Sequence, residues 1–96
     1  MPGTPLIVIG ASAGGIEALR DLTPTLPADF RAAVAIVVHR PPIEEDDRLS
    51  RVLGKNCPLP VRHATDHAPI RAGEIIVCPA NVHLNVANGE YRLDGG

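Results

Sequence analysis

The sequence predicts an α/β domain with a mostly parallel, doubly wound sheet in three layers, followed by a β-hairpin-rich segment. Three features predict it. Leu6–Ile9 and Ala33–Val38 are uninterrupted aliphatic runs, the pattern of parallel strands covered on both faces. The glycine-rich stretch Gly10–Gly15 between them opens a segment with helical periodicity. Strand, helix and strand within about 30 residues make a βαβ unit, whose crossover is right-handed.

The elements follow in order from local chemistry. Ile16, Leu19 and Leu22 recur at helical spacing, with Glu17, Arg20 and Asp21 on the opposite side, and Pro24 and Pro27 stop the helix. The second strand runs into His39, and Pro41-Pro42 then forces the chain away from helix. Acidic residues Glu44–Asp47 precede Leu49, Val52 and Leu53 in a short amphipathic helix closed by Gly54. Carboxylates near a helix start are favourable with its dipole, so this acidic run reads as a solvated helix start. Pro60–Ala64, Glu74–Cys78, His83–Val86 and Tyr91–Leu93 read as short strands, and Asn88-Gly89 is a type I′ hairpin signal. Two parallel strands joined by one helix make a thin sheet. Residues 1–96 are therefore expected to be the first part of a larger Rossmann-like domain, with an open sheet edge prone to self-association.

Composition narrows the function classes. The 96 residues suffice for one small domain, and 45% of them are hydrophobic, as in globular proteins. One Phe, one Tyr and no Trp leave the core to Val, Ile, Leu and Ala, with no aromatic platform for stacking bases. A net charge of −2 argues against a nucleic-acid or anionic-membrane partner. The longest apolar run, Ala32–Val38, is too short to cross a bilayer, and the first residues carry no signal-peptide pattern. No membrane insertion and a cytoplasmic location are expected. Cys57 and Cys78 are isolated and read as reduced, partly buried thiols.

The chemistry concentrates at the first glycine-rich loop. Gly10-Ala11-Ser12-Ala13-Gly14 fits the G-x-S-x-G nucleophile-elbow pattern: small neighbours permit a sharp turn and leave the serine hydroxyl unobstructed. The helix N-terminus beyond it supplies unpaired N–H groups able to stabilise an oxyanion. His39, on the end of the second run, is the candidate base. Adjacent parallel strands lie about 4.8 Å apart, so residues at their carboxyl ends can meet at the sheet edge where active sites form. The bland alternatives are an N-cap or turn role for Ser12 and a core position for His39. A dinucleotide-binding loop competes, but Ser12 stands at the middle glycine of G-x-G-x-x-G, and His39-Arg40 stand where a ribose-binding acid belongs. An α/β-hydrolase places its serine after several strands and an acid before its histidine, unlike this order. His63, His67, His83, Cys57 and Cys78 lack paired zinc-ligand spacing, so no metal and no cofactor is expected.

Val8-Ile9-Gly10-Ala11-Ser12-Ala13-Gly14-Gly15 and then Val37-Val38-His39-Arg40-Pro41-Pro42 resemble the catalytic domain of CheB-type protein-glutamate methylesterases. Pro60-Val61-Arg62, the stretch from Ile70 to Pro79 and His83-Leu84 agree as well, so the resemblance runs from Leu6 to about Leu93. It implies a doubly wound α/β fold and hydrolysis of glutamate γ-methyl esters on methylated chemotaxis receptors, with deamidation of receptor glutamines in some members. It also implies a Ser-His-Asp triad in which Ser12 is the nucleophile and His39 the base. The family's triad aspartate lies in a T-G-M-G-x-D-G loop that has no match here, and Asp46, Asp47 and Asp66 are not singled out by spacing as substitutes. Ala13 stands where many members carry Thr, and His67 and Asn81 where Gly and Asp are common. Many members also carry an amino-terminal receiver domain, so phosphorylation control is not expected from this chain. The expectation is a partial catalytic domain over 1–96, marginally stable or nearly inactive alone. A non-catalytic receptor-docking fragment is the alternative, and a dinucleotide-binding fragment the weaker one.

Overall fold

The computed structural model describes residues 3–12, 15–39, 46–78 and 82–95. Its elements are β1 (Leu6–Ser12), α1 (Ile16–Leu22), β2 (Ala33–His39), α2 (Asp46–Gly54), β3 (Val61–His63), β4 (Ile75–Cys78), β5 (Val82–Ala87) and β6 (Glu90–Gly95). The first four strands in the chain form one sheet in the order β1-β2-β4-β3, and each neighbouring pair is parallel. β5 and β6 form a separate antiparallel hairpin. The protein is a mixed α/β fold with a mostly parallel sheet. Among the described residues no helix is long and apolar enough to cross a membrane.

Successive strand residues point to opposite faces, and each face has its own cover. On one face Val34, Ile36, Ile75 and Val77 pack with Leu19 of α1, Leu53 of α2 and Leu59. The Thr23 hydroxyl donates a buried hydrogen bond to the Leu53 carbonyl at 3.3 Å, which ties the end of α1 to α2. On the other face Ala35 and Ile76 pack with Ala64 and Tyr91, flanked by Ala68, Ile70, Leu84 and Leu93. The helices thus cover one face, and the hairpin with the connection 64–74 covers the other.

That connection is held by backbone bonding. The Ile70 N–H donates to the Gly89 carbonyl, the His67 N–H to the Tyr91 carbonyl and the Tyr91 N–H to the Ala68 carbonyl, at 2.8–2.9 Å. The hairpin turn is the expected type I′: Asn88 and Gly89 both have positive φ, 55° and 74°. Glycine also matters at residue 15, where a Cβ would lie 3.1 Å from the Ala11 Cβ, so α1 starts tight against β1.

Two expectations need correction. The strands at 61–63 and 75–78 are not a separate β-rich excursion. They join the parallel sheet, with β4 inserted between β2 and β3. Ile75-Ile76-Val77-Cys78 is fully buried and aliphatic, the same pattern as the first two strands. No helix follows β3 to announce a parallel crossover, because a loop makes the return. Secondly, β1 does not stop at Ile9 but continues through Gly10 and Ala11 to Ser12. The first helix ends at Leu22 as expected, and Pro24 sits in the first turn of a short 3-10 segment, Thr23–Thr25, where its missing N–H costs nothing. The turn residues Ala13 and Gly14, the Pro41-Pro42 break and Glu44 lie outside the described residues.

Tyr91, the one tyrosine of the chain, is 1% exposed. Its buried hydroxyl has no hydrogen-bond partner among the described residues. Burial, and secondarily the Glu74 carboxylate, push its pKa upward against the opposing pull of Arg62. Above about pH 10 the unfolded tyrosine ionises while the folded one stays neutral. Stability is therefore lost as pH rises past that value. Tyr91→Phe is expected to change stability at pH 7 by less than about 1 kcal/mol and to flatten the alkaline fall. Urea unfolding at pH 7 to 11 of both proteins checks this; equal alkaline slopes contradict it.

Candidate active site

The β1–β2 ladder sets the geometry of the site. Its register runs from Leu6 opposite Ala33 to Ser12 opposite His39 without a bulge. Ser12 and His39 are the last residues of their strands and direct Cα partners across the ladder. Strand spacing puts paired positions about 5 Å apart in the hydrogen-bonding direction. The two sequence-predicted site residues are thus brought together, and at the carboxyl edge of a parallel sheet.

The local sequence explains the placement. Gly10 and Ala11 keep the end of β1 small, and a Cβ at Gly10 would meet nothing within 4 Å. Gly15 is the N-cap of α1 and makes no side-chain cap bond. Ser12 closes the strand before it. The N–H groups of the first turn of α1 are unpaired within the helix and lie on the chain just beyond Ser12.

The other candidate residues are placed elsewhere. Asp66 is engaged by the hairpin: its Oδ1 accepts the Leu93 N–H at 2.9 Å, and its Oδ2 lies 3.4 Å from His67 Nε2. His67 adopts φ 68° and also stands 3.5 Å from Glu90, which in turn pairs with Arg92 at 3.3 Å. These four side chains clamp the 64–74 connection onto β6. His63 lies on β3, opposite Val77 of β4 and so two strands from β2. His83 faces Asp94 across the hairpin. Asp46 and Asp47 open α2. Cys57 and Cys78 form no disulfide. Among the described residues no group of three or more His, Cys, Asp or Glu is arranged to hold a metal ion.

A groove lined by Arg20, Thr23, Pro24, Val52 and Lys55 lies between the carboxyl ends of α1 and α2. In a βα unit those ends sit at the opposite edge of the sheet from Ser12 and His39, so this groove is not their site. A feature missed in the sequence lies at the correct edge. β4 ends at Cys78, opposite Val37, and the Cys78 thiol donates to the Val82 carbonyl at 3.6 Å. The start of β5 is thereby held at the carboxyl end of the sheet, the end that Ser12 and His39 share. The ion pair between Arg62 and Glu74, 2.9 Å apart, was also missed. Their separation of 12 positions carries no local sequence pattern.

A parallel α/β sheet whose first two strands end in a paired serine and histidine defines an α/β protein with a candidate hydrolase edge. The chain belongs to the CheB methylesterase family, whose model matches residues 7–96. It is 40% identical over 92 residues to a protein-glutamate methylesterase/protein-glutamine glutaminase of Symbiobacterium thermophilum, covering 95% of this chain and 25% of that protein. It is also 40% identical over 78 residues to a putative protein of the same name from Leptospira interrogans, covering 81% of this chain and 40% of that one. The crystal structure of the Thermotoga maritima CheB methylesterase catalytic domain superposes with a TM-score of 0.85 at 30% identity, over 100% of this chain and 52% of that domain. The chain spans between a quarter and two fifths of those two relatives and about half of the solved domain.

Asp66→Ala removes the acceptor of the Leu93 N–H and one carboxylate beside His67. Both groups are half exposed, so the expected loss of global stability is under about 1 kcal/mol. The Leu93 amide should nevertheless exchange with solvent much faster, while the amides of β2 and β4 keep their protection. Residue-resolved hydrogen exchange checks this, and unchanged Leu93 exchange contradicts it.

Proposed function

We propose that the chain carries the nucleophile-and-base half of a protein-glutamate methylesterase site, with Ser12 as nucleophile and His39 as general base. The observation that supports it is the register pairing of Ser12 with His39 at the carboxyl ends of β1 and β2. In this reading His39 accepts the Ser12 hydroxyl proton as Oγ attacks the carbonyl of a glutamate γ-methyl ester. N–H groups near the start of α1 stabilise the oxyanion. Methanol leaves with the proton from His39, and water, activated by His39, hydrolyses the acyl-enzyme. No step needs a metal or cofactor.

The substrate in this reading is a methylated chemotaxis receptor, and a receptor glutamine enters the same chemistry with ammonia as leaving group. Curated relatives named for both reactions support this pairing. Cysteines that form no disulfide, Cys57 and Cys78, support a cytoplasmic setting. Residues 1–96 are read as the first part of a three-layer, doubly wound catalytic domain whose remaining part supplies the triad acid. In serine proteases neutralising that acid lowers kcat by about 10⁴, because the histidine tautomer is no longer held. The chain by itself is accordingly expected to turn over slowly.

Methanol release from methylated receptor, measured with Ser12 and His39 intact and in the rest of a family catalytic domain, tests the assignment. Ser12→Ala and His39→Ala should each lower the rate by about 10⁴ or more, and the double variant should be no worse than either alone. Release that survives both substitutions overturns the assignment.

A further inference from the structure

We infer that Asn88 is a self-modification site: the Gly89 backbone nitrogen closes on its side-chain amide, and the isoaspartyl product releases the hairpin from the 64–74 connection. The two residues are the central pair of the hairpin turn, and both are exposed. Asn88 has φ 55° and Gly89 φ 74°. A Cβ at Gly89 would meet nothing within 4 Å, so the Asn88–Gly89 peptide plane turns in open space. The chain's other asparagines, Asn56, Asn81 and Asn85, precede Cys57, Val82 and Val86. Those side chains shield the attacking nitrogen, and glycine has none.

The turn already meets half of the geometric demand. A five-membered imide holds the side-chain carbonyl carbon of its residue against the next backbone nitrogen. That backbone is the first central position of a type II′ turn, with φ and ψ of about 60° and −120°. The φ of Asn88 is in place. Only the peptide plane must turn, which carries Gly89 from positive φ to about −80°, a crossing open to glycine. Asn85 has no such freedom, because it is paired with Arg92 inside the β5–β6 ladder. In the ring closure the Gly89 nitrogen loses its proton and bonds to the side-chain carbonyl carbon. The side-chain nitrogen takes up a proton and leaves as ammonia. Water then opens the imide at either carbonyl. One opening gives aspartate; the other gives isoaspartate, whose backbone runs through the side chain.

The two products differ in what they do to the fold. Asp-Gly is itself a type I′ pair, so aspartate keeps the turn. Isoaspartate adds one methylene between residues 88 and 89. Loop length fixes hairpin register. The longer loop cannot both keep Ala87 opposite Glu90 and hold the Gly89 carbonyl on the Ile70 N–H, whose nitrogen lies 2.9 Å away. The Pro69–Glu90 bridge and the Tyr91 bond to Ala68 depend on the same turn. Conversion therefore loosens the cover of the sheet face that no helix covers.

The test ages the 96-residue chain in mildly alkaline buffer and follows each asparagine by peptide mass spectrometry. Asn88 should convert at least about tenfold faster than Asn85, and within about tenfold of its own rate in concentrated urea. A second arm joins residues 1–77 to synthetic segments 78–96 by ligation at the Cys78 thiol, with isoaspartate or aspartate at position 88. Hydrogen exchange at the Ile70 amide should be at least about tenfold faster with isoaspartate and unchanged in Asn88→Asp. The β2 amides should be equally protected in both chains. Folding that protects Asn88 as strongly as Asn85 overturns the inference. So does an isoaspartyl chain that keeps Ile70 protected, or one that loses β2 protection along with it.

Discussion

The register between β1 and β2 is the constraint on which the rest of the molecule depends. Two parallel strands of seven residues each pair without a bulge, so the last residue of one is fixed opposite the last residue of the other. A slip of one residue would reverse the face of every β1 side chain. Such a slip is resisted by burial on β2, where Ala33, Val34, Ala35 and Ile36 are all enclosed. It is resisted also at Gly15, whose missing Cβ lets α1 start close against Ala11. The pairing of Ser12 with His39 is thus a consequence of packing several residues away from either.

A second constraint acts through β4. Its four residues are buried on both faces and sit in the middle of the sheet, although they come late in the chain. The chain reaches that position through a connection without a helix, and the connection must be fixed by other means. It is stitched to β6 by backbone bonds around Tyr91 and clamped by Asp66, His67, Glu90 and Arg92. The hairpin is therefore not an appendage. It closes the sheet face that no helix covers, and through the Cys78 contact with Val82 it reaches the edge that carries Ser12 and His39.

The legible parts of the sequence were those written in local pattern. The aliphatic runs of β1 and β2, the spacing of α1, the amphipathic α2 and the Asn88-Gly89 turn each follow from residues close together in the chain. The pairing of Ser12 with His39 was legible because a βαβ unit admits few arrangements. The parallel placement of β3 and β4 was not, since a four-residue aliphatic run has no period by which to tell its partners. The clamp was hidden for a related reason: Asp66 and Leu93 are 27 positions apart, and only the folded chain brings them together.

In the proposed site Ser12 is a nucleophile activated by His39, and the reactivity of its hydroxyl reports that role. The chain contains one other serine, Ser50, which serves as an internal reference. The measurement is the rate of capture by a fluorophosphonate ester, with the adduct located by peptide mass spectrometry. One adduct is expected, on Ser12, forming at least about 100-fold more slowly in His39→Ala, the scale of a general base. Equal labelling of Ser12 and Ser50, or a rate on Ser12 indifferent to His39, would contradict it.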